Sequence, residues 1–244
     1  MEMYDMIFKR KSFHFFKNVG NEHLSATELQ EIETYFYDLK PLVEGINVKI
    51  KFVKESTTCK IGQEYCVLFY SEKKEGYLQN IGYLGEKLDL YFAAKNIGAC
   101  WYGLGKVDEK KYEGLDFVIM MAIKKIDDPL KFRQDLSKVK RKGLNEFWKG
   151  DNYKEIGEAS RYAPSAVNTQ PWEVETSANE INVYRLPYKG IMPKASITYY
   201  NQVDIGIYLC VLEVCMDENK MSYDREIKIV KDGNRYLTAI YQIK

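Results

Sequence analysis

Ala163-Pro164-Ser165-Ala166-Val167-Asn168-Thr169-Gln170-Pro171-Trp172 joins a helical pattern that ends near Tyr162 to a strand pattern that begins at Trp172. Ser165, Asn168 and Gln170 supply donors and acceptors, while the alanines and prolines add neither bulk nor charge. A corner of that composition lets backbone approach a flat polar heterocycle and bond its edge. A proline-punctuated loop draws on the same residue types; it is the full run from Ala163 to Trp172 that favours a binding corner.

Outward from the corner, periodicity predicts a helix over 151–162, strands over 172–176 and 181–184, and a helix over 203–218. Strands follow over 226–230 and 236–243. The 203–218 helix carries Ile205, Ile207, Tyr208, Leu209, Val211, Leu212, Val214 and Cys215, apolar nearly all round, which marks a buried helix. Upstream, helices are predicted over 3–10, 27–40 and 78–96, with Gly98 as a left-handed stop, and strands over 46–54, 65–70 and 117–124. Helices and strands interleave without strict βαβ alternation, so the expected class is α+β, an α-β sandwich.

The two halves echo each other. Asn80-Ile81-Gly82-Tyr83 opens one helix and Asp204-Ile205-Gly206-Ile207 the other, and at that register Leu88 matches Leu212 and Asp89 matches Glu213. Ile46-Asn47-Val48 answers to Ile181-Asn182-Val183, and Glu31-Ile32 to Glu155-Ile156. The expectation is two pseudo-symmetric copies, 1–136 and 151–244, joined by a basic connection at 137–150.

Composition excludes several classes. The chain has 244 residues, 36 basic against 35 acidic, and a net charge of +1, which offers no field for nucleic acid or an anionic membrane. Its longest apolar run, Phe117 to Ile123, is far short of the roughly 18 residues of a membrane span. The N-terminal MEMYDMIFKRKSF is charged where an export signal needs an apolar core, so a cytoplasmic location is expected. Five cysteines without a CxxC pair and two histidines, His14 and His23, argue against a disulfide framework, a metal site or a Ser-His-Asp triad.

Two further segments suit ligand chemistry. Arg10-Lys11-Ser12-Phe13-His14 places two cations and a hydroxyl after the first helix, a natural phosphate clamp; a solvated basic helix end has the same composition. A second basic cluster, Lys138, Lys140, Arg141 and Lys142, suits the same phosphate or a solvent-facing run equally. Gly98-Ala99-Cys100-Trp101-Tyr102-Gly103-Leu104-Gly105 reads as a glycine-rich turn where backbone can meet a ligand or simply pack around Trp101.

Together these segments resemble the nitroreductase family. Arg10-Lys11-Ser12 matches its R-[RK]-S motif, Ala163 to Trp172 its APSxxNxQPW corner and Arg141-Lys142-Gly143-Leu144 its R-K-x-L stretch; Gly98 to Gly103 falls at its G-x-x-x-C-W-x-G segment, with one residue in place of three between Gly98 and Cys100. The resemblance implies FMN as cofactor, held by Arg10, Lys11, Ser12, His14, Tyr102, Gly103, Leu104, Arg141, Pro164, Ser165, Ala166, Asn168 and Gln170. It implies NADH or NADPH as electron donor and no catalytic side chain, the Gly103 backbone lying near the ring. Members normally work as intertwined dimers, each FMN between the Arg-Ser segment of one subunit and the corner of the other.

The order here is permuted: the corner stands only in the second half, where the first has Asp38-Leu39-Lys40-Pro41-Leu42. The chain is thus similar to the tandem, single-chain branch of the family, which implies a monomer with one flavin. Two positions depart from the pattern. His14 stands where many relatives have Arg or Lys, making that charge pH-dependent, and Val139 where some carry a second phosphate-binding Lys. The expected function is an FMN-dependent oxidoreductase reducing small electrophiles such as nitroaromatics or quinones. The alternative is a flavin-binding storage or sensing module without efficient turnover. The substrate and the nicotinamide preference are not legible.

Overall fold

The computed structural model describes residues 3–191 and 193–244. The chain divides into two compact units, Met1–Tyr77 with Lys87–Leu136, and Leu78–Glu86 with Ser137–Lys244. The first holds α1 (Met3–Lys9), α2 (Ala26–Tyr37), β1 (Val48–Val53), β2 (Tyr65–Ser71), the end of α3 (Tyr77–Ala94), β3 (Ile97–Tyr102), β4 (Lys111–Tyr112) and β5 (Leu115–Lys125). The second holds the start of α3, then α4 (Leu144–Phe147), β6 (Trp148–Lys149), α5 (Lys154–Ser160), β7 (Trp172–Thr176), β8 (Glu180–Arg185), α6 (Lys194–Glu218), β9 (Tyr223–Asp232) and β10 (Arg235–Ile243).

Each unit is built on a five-stranded sheet, ordered β1-β2-β5-β3 with β4 beside β5 in the first, and β6-β7-β8-β10-β9 in the second. Every pairing is antiparallel except β6 with β7. The class is therefore α+β, since helical crossovers would have made the strands parallel. β2 and β5 are continuous apolar runs because they lie in the middle of their sheet, buried over Cys66–Ser71 and Val118–Ile123. β1 is an edge strand and alternates Lys49 and Lys51 with apolar residues, paired to Glu113 and Glu109.

Local rules account for several boundaries. Ser25 and Glu28 form a capping box that starts α2: Glu28 N–H donates to Ser25 Oγ at 3.1 Å and Ser25 N–H to Glu28 Oε2 at 2.9 Å. The expected stop at Gly98 is corrected. The left-handed residue after α3 is Asn96, at φ 55°, and Gly98 is already inside β3. A side chain at Gly98 would collide with Ile126 and Phe13, so glycine there permits close packing and not a turn. α6 likewise begins at Lys194, well before the expected 203. The stretch 137–150, read as a connection, contributes α4 and β6 to the second unit, where Trp148 pairs with Val174.

Within the second unit α3 and α6 touch through their glycines. A methyl on Gly82 would run into the Val203 carbonyl and meet Ile207 N; a methyl on Gly206 would run into the Gln79 carbonyl and meet Tyr83 N. Each glycine thus meets the residues three before and one after the other. Beyond this crossing Glu213 is buried, accepting from Tyr83 Oη at 2.5 Å, Tyr241 Oη at 2.8 Å and Arg225 at 2.7 Å.

Candidate functional site

The four segments singled out in the sequence assemble in pairs, one pair in each unit. In the first unit α1 runs into the extended stretch Arg10–His14, which lies along β3: Ser12 bridges Ala99, and Phe13 N–H donates to the Ala99 carbonyl at 3.0 Å. Phe13 anchors the stretch by burial in the core, stacked 5.6 Å from Phe16 and edge-on to Phe132. The R-K-S motif and the C-W-Y-G strand are therefore neighbours. Cys100 Sγ lies 3.9 Å from Nδ1 of the exposed His14. Burial, and then the charge of Asp89, push the Cys100 thiol up to about 11, which leaves it protonated and inert.

Arg10 does not present its whole head outward. It is 2% exposed; Nε donates to Asp89 Oδ2 at 2.9 Å, and Nη2 lies 3.5 Å from Ser12 Oγ. Lys11 is half-buried with Nζ over the Phe13 ring at 4.7 Å. Burial, then the neighbouring Lys131 and Arg133, lower the Lys11 pKa, as expected where like charges gather. Tyr102 and Gly103 are half-buried, and Leu104 is 77% exposed.

In the second unit the corner is pinned at both ends. Ala163, Pro164 and Trp172 are buried, and Trp172 stacks on Tyr208 of α6 at 4.7 Å. Between them the backbone is strained: Val167, Asn168 and Gln170 have φ of 44°, 57° and 47°, a region unfavourable to a β-branched residue above all. Side chains hold this conformation. Gln170 N–H donates to Ser165 Oγ at 2.9 Å, Thr169 Oγ1 to the Ala166 carbonyl at 3.0 Å, and Ala166 N–H to Asp204 Oδ1 at 2.9 Å.

The same corner grips the basic segment. Arg141 Nη1 donates to Asn168 Oδ1 at 3.0 Å and Nη2 to the Tyr162 carbonyl at 3.3 Å. Asn168 Nδ2 donates to the Lys140 carbonyl at 3.1 Å. Lys142 N–H donates to Gln170 Oε1 and Lys142 Nζ to the Gln170 carbonyl, both at 2.8 Å. Asn168 and Gln170, read from the sequence as groups for a ligand edge, thus also place Arg141 and Lys142 respectively. The sequence shows the two acids behind these segments, Asp89 and Asp204, only as members of the internal echo and not as parts of a site. Their signal is a carboxylate set in an apolar helical run, as in Val203-Asp204-Ile205.

The donor chemistry is one-sided. Residues 10–14, 98–105, 140–144 and 163–172 include Arg10, Lys11, Lys140, Arg141 and Lys142 and not one Asp or Glu. In the first unit Ser12 adds a hydroxyl; in the second Ser165 adds a hydroxyl and Asn168 and Gln170 add amides. Such groups suit a phosphate and the polar edge of a ring. Among the described residues no helix is long and apolar enough to cross a membrane.

No curated protein matches the chain. A crystal structure described as a putative nitroreductase from Thermotoga maritima MSB8 has the same fold, with a TM-score of 0.63 and 18% identity, over 100% of this chain and 93% of that one. The model of the family described as "Putative TM nitroreductase" matches residues 2–216, the span that contains all four paired segments. By that match the chain belongs to the TM nitroreductase family.

Proposed function

We propose that the chain is an FMN-dependent oxidoreductase that takes electrons from NADH or NADPH and reduces small electrophiles such as nitroaromatics or quinones. The observation that carries this reading is the corner knit to Arg141 by Asn168 and to Lys142 by Gln170, a basic segment and a polar loop joined with no acid in either. FMN, when bound, supplies the hydride chemistry. The chain's residues bind and orient it. In the first unit Lys11 and Ser12 suit a phosphate, with Arg10 fixing Ser12 from behind, and in the second unit Arg141 has the same chemistry. The backbone and amides of Pro164 to Gln170, and the Tyr102–Leu104 backbone, suit its ring. No side chain is needed to move a proton.

The reciprocal contacts of Gly82 and Gly206 support a duplicated unit, as do the acids Asp89 and Glu213, each seven residues beyond its glycine and each paired with an arginine. A duplicated chain replaces the two subunits of a dimer, so we read the protein as a monomer with one flavin. The test is the absorbance spectrum of the purified chain after FMN reconstitution, before and after anaerobic NADH and NADPH. A bound flavin band that bleaches with either nicotinamide is expected. A chain that takes up no FMN contradicts the reading, and one that binds FMN without bleaching is a storage or sensing module.

A further inference from the structure

Asp204 lies in α6 behind the corner and is 3% exposed. Its Oδ1 accepts the Ala166 N–H at 2.9 Å. With the Asn201 amide turned so that its nitrogen faces oxygens, that nitrogen donates to Asp204 Oδ2 at 3.1 Å and lies 3.1 Å from Thr169 Oγ1. The groups that face the carboxylate are thus an N–H and a hydroxyl from the corner and an amide from its own helix, all neutral. Among the described residues no ionised side chain of the corner, of Lys140–Lys142, of α5 or of α6 acts on it.

A buried carboxylate without a counter-ion is costly, and α6 has no need of one for its own folding, being apolar on either side at Val203 and Ile205. The loop it holds is the strained one. Val167, Asn168 and Gln170 all keep positive φ, and Asn168 passes that geometry on to Arg141.

We propose that Asp204 is a positioning residue: its carboxylate latches the corner in the left-handed conformation and, through Asn168, sets where Arg141 stands, so that ionisation of Asp204 tunes how tightly the corner holds a flavin. For the ligand this rests on the FMN reading above; for the latch it does not. Burial pushes the Asp204 carboxyl up to about 8, against the pull of the Ala166 N–H and Thr169. Above that pH the bond to Ala166 is charge-assisted and roughly twice as strong as the neutral bond below it. As long as Asp204 stays buried, the latch therefore tightens as pH rises through about 8, even though ionising a buried carboxylate costs the fold as a whole.

Two readouts test it. In the ligand-free chain the Ala166 amide proton, followed by NMR, should titrate with a midpoint near 8, and Asp204→Asn should abolish that titration. An Ala166 signal that is flat over this range, or that titrates unchanged in Asp204→Asn, overturns the latch. With FMN as the probe, affinity should rise roughly fivefold as wild type passes through the midpoint, and should stay low and flat in Asp204→Asn. Asp204→Leu, which leaves Ala166 N–H without its acceptor, should bind FMN about tenfold more weakly. If the Leu variant does not fold, the near-isosteric Asn variant decides. Matching affinity profiles in wild type and Asp204→Asn overturn the coupling to ligand. A wild-type chain that binds no FMN removes the flavin part, and the amide titration still decides the latch.

Discussion

Asp89 in the first unit and Asp204 in the second are both almost wholly buried, yet only Asp89 has a cation against it. Burial pushes the Asp89 carboxyl up from the usual range, and Arg10 at 2.9 Å, with Arg133 beyond it, pulls it back. Asp204 meets only neutral donors. The Arg10–Ser12 stretch is thus set by an ion pair whose members depend on each other, and the corner by a carboxyl free to change its charge. The difference also redefines Arg10. A residue that reads as a phosphate clamp in the sequence has its Nε engaged by Asp89, and its removal strands a buried charge.

The largest expected effect follows from that pairing. Arg10→Ala should destabilise the protein by about 3–5 kcal/mol in urea unfolding, the cost of breaking a buried pair from one side. Removing both partners, as Arg10→Met with Asp89→Leu, should cost far less. A single-variant loss below about 1 kcal/mol would mean that the pair does not set this stretch.

Asp204 should show a smaller effect, of opposite sign. Its folded-state pKa of about 8 lies above that of an unfolded aspartate, so the folded chain binds the extra proton between about pH 4 and 8. Stability should fall as pH rises through that window and level off above it. Asp204→Asn should lose this slope and exceed wild type by on the order of 2 kcal/mol at about pH 9. Part of the full linkage is forfeited because the new amide turns its nitrogen toward Asn201. A wild-type stability that rises through the window, or an equal slope in the variant, would put the charge elsewhere.

The smallest effect separates the phosphate from the ring. Arg141→Ala should weaken FMN roughly tenfold more than riboflavin, since only FMN loses a charge-assisted contact. Equal losses, measured by fluorescence titration of both ligands, would assign Arg141 to holding Asn168 and not to the phosphate.

Sequence periodicity located most helices and strands because their apolar faces are local facts. Ser25 and Glu28 are enough to start α2, and the run through Phe117 to Ile123 is enough to mark a central strand. Where tertiary contact decides, local signals misled. Gly98 looks like a helix stop, but it is glycine because Ile126 and Phe13 occupy the space a side chain would fill. Trp148 joins a sheet only because Val174 is there to receive it. The four candidate segments stood out by residue type, but their grouping did not: Arg141 belongs with Asn168, 27 residues on, and Lys142 with Gln170. Asp204 was quoted only as part of an internal echo, because a sequence shows a carboxylate but not the absence of a cation beside it.

Flavin stoichiometry, measured together with molar mass in solution, tests most directly whether two unlike halves in one chain do the work of a dimer. Light scattering with flavin quantitation on the reconstituted protein should give a monomer carrying one FMN. Two flavins per chain, or a dimer whose dissociation releases FMN, would contradict it.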